Sequence, residues 1–166
     1  MPALDPVATG HLRPDVRALI EAARESGALS NTVLARIWAH RPELAAAQVS
    51  LHTRFYDSTV LPPRLLELVR LRIAAINDCR PCRLARKSGD VTEAEVACLS
   101  SEDERFSPRE RAAIAFAERF VVNHLEADVA GLHDWFSPAE IVELGMFTAL
   151  MVGSGRLAHV LRAYDE

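Results

Sequence analysis

Residues 61–86 read LPPRLLELVRLRIAAINDCRPCRLAR, and this stretch decides the fold. Pro62 and Pro63 suit the opening of a helix, where the first N–H groups have no intrahelical partner. Leu65, Leu66, Leu68, Val69, Leu71, Ile73 and Ile76 follow, so a helix over Arg64–Ile76 is apolar on more than one face and belongs mostly in a core. Glu67, Arg70 and Arg72 are the exceptions. Next comes Asn77-Asp78-Cys79-Arg80-Pro81-Cys82. The pattern predicts a second helix, Cys79–Lys87, with Asp78 as its N-cap and Gly89 as its stop. Cys79 then takes the first helical position and Cys82 the same face one turn on, with Pro81 tolerated in the first turn. The helix dipole and the positive charges of Arg80, Arg83 and Arg86 favour thiolate. That is a recipe for a redox-active dithiol. The same spacing also suits half of a zinc site, or two small apolar core residues.

Outward from this stretch the pattern stays helical. Upstream, Val16, Leu19, Ile20 and Ala23 give a helix from Leu12 to Glu25, with Gly27 as its stop. Asn31–His40 and Pro42–Tyr56 are two more, and Asp57-Ser58-Thr59 breaks the run. Downstream, Thr92-Glu93-Ala94-Glu95, Ser107-Pro108-Arg109-Glu110 and Ser137-Pro138-Ala139-Glu140 each fit a capping box. Those helices are expected to reach about Leu99, His124 and Ala163, with 128–136 as a linker or short helix. No segment alternates like a strand, so the expected class is all-α: a compact multi-helix single domain over 1–166. Shifting the chain by 76 residues superposes Pro62/Pro138, Glu67/Glu143, Leu68/Leu144, Arg80/Arg156 and Arg86/Arg162, a pseudo-repeat whose second copy has Gly155 and Ala158 in place of the cysteines.

Composition narrows the function classes. A net charge of −4 gives no electrostatic footprint for nucleic acid or an anionic membrane. Eighteen arginines stand against one lysine, Lys87, which reads as composition bias. Three cysteines (79, 82 and 98) make no secreted disulfide scaffold, no basic-then-apolar leader opens the chain, and no apolar run reaches membrane-spanning length. The expected compartment is the cytoplasm. There a cysteine pair is more often catalytic or metal-binding than structural.

Glu67, twelve residues before Cys79, then Asn77 and the two cysteines resemble the signature of the alkylhydroperoxidase D-like proteins of the carboxymuconolactone decarboxylase superfamily. FSPRERAAIAFAERF and FSPAEIVELGMFTALMVGSGRLA, further on, resemble it too, so the likeness covers 61–163, with 1–60 a helical lead-in. The resemblance implies an all-α fold, homo-oligomers and thiol peroxidase chemistry in antioxidant defence, with no cofactor or metal. It gives the attack on a hydroperoxide to Cys82 and the resolving role to Cys79, with a dithiol donor such as a lipoyl or thioredoxin-like protein restoring the pair. Two positions depart from it. Arg86 stands where the family carries a histidine four residues after the second cysteine, and Pro81 replaces another that some members have. Arg86 can stabilise a thiolate but cannot exchange a proton near neutral pH. Glu67 is left as the proton acceptor and donor. By charge and accessibility alone, Cys79 would be the lower-pKa and more exposed thiol.

Competing readings stand beside these. Glu67 and Arg70, three apart, also suit a helix-surface ion pair. A thioredoxin fold needs a βαβ context that the chain lacks, and zinc lacks ligands beyond Cys98 or a distant histidine. Cys98 reads as a small core residue, and neither His124 nor His159 as catalytic. A non-catalytic or sensing oligomer is the alternative function. A carboxymuconolactone decarboxylase-like enzyme is a remoter one, since the decarboxylases proper lack the cysteine pair.

Overall fold

The computed structural model describes residues 1–164, apart from the side chains of Arg80 and Pro81, so the charge expected of Arg80 lies outside the described residues. Eight α-helices follow one another: α1 (Pro14–Glu25), α2 (Val33–Trp38), α3 (Pro42–Asp57), α4 (Pro63–Ile76), α5 (Arg80–Leu84), α6 (Glu93–Ala97), α7 (Pro108–Val122) and α8 (Pro138–Val160). Short 3₁₀ turns occupy Thr9–His11, His124–Glu126 and Ala130–Leu132. No strand occurs among the described residues, so the all-α reading holds.

Helix starts follow local chemistry. In the three capping boxes the N-cap hydroxyl of Thr92, Ser107 or Ser137 accepts from the N–H of Glu95, Glu110 or Glu140, and each glutamate accepts in return from the N-cap N–H at 2.8 Å. Pro14, Pro42, Pro63, Pro108 and Pro138 each open a helix. Gly27, at φ +78°, follows the end of α1.

The chain forms two compact units. The first comprises Met1–Ser58 with the segment from Arg156 onward. There α1 and α2 pack on α3 around Leu12, Val16, Ile20 and Val49, and Ile37 meets Ala158 and Ala163. The second, Thr59–Gly155, is built on α4, which lies against α7. Leu68 and Leu71 of α4 join Val91, Leu99, Phe106 and Ile114 in its core. The boundary falls inside α8, between Gly155 and Arg156.

α8 is long and apolar enough, by length and composition alone, to cross a membrane, which corrects the expectation that no segment reaches that length. Leu144, Phe147 and Thr148 on it are fully buried, as in the core helix of a folded domain. The pseudo-repeat is visible at the helix starts and lost at the ends. Glu67 and Glu143 both accept backbone N–H groups: Lys87 donates to the first, and Val60 and Leu61 to the second. Where the first copy breaks after Ile76 to form the cysteine turn, the second runs on as unbroken helix through Gly155.

Candidate active site

Asp78 does not cap the second helix; it closes the first. It takes a left-handed backbone conformation, φ +49°. Its N–H donates to the Ala75 carbonyl at 3.2 Å, and the N–H of Cys79 donates to that of Ala74 at 3.0 Å. These two bonds are a Schellman closure with aspartate in the place usually held by glycine. The Asp78 carboxylate is exposed and pairs with Arg83 at 3.1 Å. Cys79 therefore precedes α5, and its carbonyl accepts from the N–H of Arg83 at 2.9 Å as the N-cap of that helix. One residue thus ends one helix and starts the next, which fixes its backbone from both sides. α5 has only five residues and stops at Leu84, short of the expected Lys87.

Cys79 and Cys82 form a disulfide, with Cα atoms 5.2 Å apart. Burial reverses the accessibility expected of the pair: Cys79 is 3% exposed, while Cys82 is only partly covered. The buried sulfur belongs to the residue locked between two helices, and the accessible one sits a turn along.

Beneath this segment lies the one buried ion pair among the described residues. Glu67 is 2% and Arg70 6% exposed. Arg70 Nε donates to Glu67 Oε2 at 2.7 Å and Nη2 to Oε1 at 2.8 Å, a two-pronged contact. The pair is local, as the i,i+3 spacing allows, but it lies inside the molecule and not on the surface. Its remaining capacity goes to the dithiol segment. Arg70 Nη1 donates to the Cys82 carbonyl and Nη2 to that of Ala85, both at 2.6 Å. Glu67 Oε1 accepts the N–H of Lys87 at 3.0 Å. The backbone of 82–87 is thereby hung on α4 at three points. This explains the early end of α5: its terminal carbonyls find a guanidinium instead of another helical turn.

Arg86 is turned to another task. Its guanidinium makes a two-pronged contact with Glu93, both bonds at 2.9 Å, and also donates to the carbonyl of Arg83. Lys87 is about half-buried; desolvation, with the neighbouring Arg70 charge, pushes its ammonium down to about 8, against a smaller opposing pull from Glu67. Arg70 and Lys87 are the site residues that sequence reasoning passed over. The signal for the first was an arginine three places after Glu67 in an apolar helix; for the second, the chain's sole lysine. Cys98 is a half-buried free thiol that donates to the Ala94 carbonyl at 3.2 Å. Desolvation, reinforced by a hydrogen bond with Asp103, raises its pKa. His159 pairs with the Tyr164 hydroxyl at 3.0 Å.

Two solved structures share this architecture. A peroxidase-related protein from Ralstonia eutropha JMP134, described as an alkylhydroperoxidase AhpD core, matches with a TM-score of 0.73 at 18% identity over 99% of this chain and 92% of its own. A protein of unknown function from Agrobacterium tumefaciens, a candidate antioxidant-defence AhpD, matches with a TM-score of 0.63 at 26% identity over 75% of this chain and 92% of its own. The chain has the alkylhydroperoxidase D-like fold. No family model matches it. Two uncharacterized proteins from strains of Mycobacterium tuberculosis are 32% identical over 164 residues, 90% of this chain. The alkylhydroperoxidase D-like chain spans 56% of the length of these relatives.

Proposed function

We propose that the protein is a thiol-dependent peroxidase, reducing hydroperoxides through Cys82 and Cys79 in antioxidant defence. The observation that carries this reading is the joined cysteine pair, with its accessible member on a segment braced from inside by Glu67 and Arg70. The peroxidase-related description of the Ralstonia protein and the antioxidant-defence description of the Agrobacterium protein point the same way.

In the proposed cycle the Cys82 thiolate attacks the terminal peroxide oxygen. The S–O bond forms, the O–O bond breaks, and the alkoxide leaves as alcohol once protonated. Cys79 thiolate then attacks the Cys82 sulfenic acid, and the S–S bond forms as hydroxide leaves and is protonated to water. A cellular dithiol donor, lipoyl or thioredoxin-like, returns two electrons and two protons. Its disulfide exchange needs an accessible sulfur, which Cys82 offers and Cys79 does not. Glu67 is assigned to holding the segment and handling protons beneath it. Arg86, tied to Glu93, is left an electrostatic part. The chain is expected to work in the cytoplasm as a homo-oligomer.

Cys79→Ser and Cys82→Ser under dilute peroxide, with sulfenic acid trapping, test the reading. Trapping is expected at Cys82 in the Cys79→Ser variant. Trapping only at Cys79, in the Cys82→Ser variant, would exchange the two roles. No trapping in either, with both variants folded, would leave the non-catalytic oligomer standing, a reading that the missing relay histidine favours.

A further inference from the structure

We propose that Lys87 is the general acid that protonates the departing alkoxide, the task the absent histidine leaves open. The inference rests on the peroxidase reading above and concerns the same site. Three observations carry it. Lys87 lies five residues after Cys82 on the braced segment, and its own N–H is bonded to Glu67 at 3.0 Å. The same Glu67 carboxylate binds Arg70, which holds the Cys82 carbonyl at 2.6 Å, so one buried cluster fixes the backbone on either side. Among nineteen lysines and arginines it is the only lysine. Arginine is never deprotonated in proteins, so in this chain the one basic side chain other than histidine able to give up a proton stands at this cluster.

The charges around it fit the role. From α4, Arg70 and Glu67 face it; with burial they bring its ammonium down to about 8, near the working range of an acid catalyst. On its own segment Arg86 is held by Glu93, and the Asp90 carboxylate accepts from Ser88 at 3.0 Å. In the step itself, the Cys82 thiolate bonds to the outer peroxide oxygen as the O–O bond breaks. The alkoxide takes one ammonium proton from Lys87, giving alcohol, Cys82 sulfenic acid and a neutral amine. The amine then regains its proton from solvent.

The test uses the leaving group. Reduced wild-type protein, Lys87→Arg and Lys87→Gln are mixed with an alkyl hydroperoxide, whose alkoxide needs a proton, and with a peracid, whose carboxylate does not. Single-turnover rates are followed from pH 6 to 10. For the alkyl hydroperoxide a loss on the order of 100-fold is expected in both variants, together with disappearance of the wild-type fall in rate above about pH 8. For the peracid all three proteins should react alike, which also establishes that the variants are folded. Equal wild-type and Lys87→Arg rates on the alkyl hydroperoxide would remove Lys87 from the mechanism and leave the peroxidase intact. An equal loss on both oxidants would mean that Lys87 matters only for the thiolate or the fold, and would also overturn the proposal. A wild type inert to both would end the peroxidase reading and the Lys87 inference together.

Discussion

Removing either member of the Glu67–Arg70 pair strands a charge that solvent scarcely reaches. Breaking such a pair by truncating one partner costs about 3–5 kcal/mol, much of it the penalty on the survivor. Arg70→Met should therefore destabilise by about that amount, and it also orphans the carbonyls of Cys82 and Ala85. Glu67→Gln keeps the shape and an acceptor for Lys87, so a smaller loss of about 1–3 kcal/mol is expected. Urea unfolding of the two variants checks the order; a near-neutral Arg70→Met would show that the segment does not depend on the brace. Lys87 gives a prediction of opposite sign. Its folded pKa, about 8, lies below the ordinary 10.5, so its burial opposes folding wherever the folded ammonium stays charged. That cost is complete below about pH 8 and fades as pH rises toward 10.5. Lys87→Gln should thus be more stable than wild type at pH 7, with the gap closing by about pH 10.5. A gap that widens with pH would contradict the burial argument. The partners in this cluster were half legible. Spacing allowed the Glu67–Arg70 pair, but its burial depends on what packs around α4, and no local pattern shows where Arg70's remaining N–H groups go.

At the scale of elements, one side chain ties three helix starts together. Arg64 on α4 binds Glu95 at 2.6 Å and Glu110 at 2.7 Å, the capping-box glutamates of α6 and α7. Arg109, next to the second of these, binds Glu140 of the third box. The Arg64 hydrogen bond, then those from Thr92, hold the Glu95 carboxyl down to about 2. A depressed acid contributes stability that is complete above its ordinary value of 4.5 and is lost as pH falls from there toward 2. Arg64→Met should cost about 1–3 kcal/mol at pH 7, at the low end because the groups are partly exposed, and should flatten the acid limb of the stability curve. An unaltered acid limb would show that the boxes hold Glu95 without Arg64. The boxes themselves were readable because N-cap and N3 lie three residues apart in sequence. Asp78 was misread for an instructive reason: aspartate favours both an N-cap and the left-handed residue after a helix. Which of the two it serves is decided by whether Cys79 can donate back to Ala74, a choice that local composition does not express. The length of α5 was illegible for the same kind of reason, since its stop is supplied by Arg70 from another helix.

For the whole molecule, the open matter is whether the two units fold as one. The chain offers a built-in reporter in each, because its two tryptophans are divided between them: Trp38 in the first unit and Trp135 in the second. The Cys79–Cys82 bond lies wholly in the second. Chain-entropy arguments give a bridge closing so short a loop roughly 2 kcal/mol. In a chain of this length each kcal/mol moves the melting midpoint by about 2–4 °C, so reduction should lower it by about 4–8 °C. The unit boundary falls within α8, between Gly155 and Arg156, and the residues after it supply Ala158 and Ala163 to the core of the first unit. A helix broken at its middle loses hydrogen bonds on both sides of the break, so neither unit can unfold while the other keeps its end of α8 intact. We therefore expect Trp38→Phe and Trp135→Phe, each leaving a single reporter, to melt at one midpoint, and reduction to shift both by the same amount. If reduction moves the Trp135 signal and leaves Trp38 unmoved, α8 does not couple them and the protein is two domains. The peroxide site would then belong to the second alone.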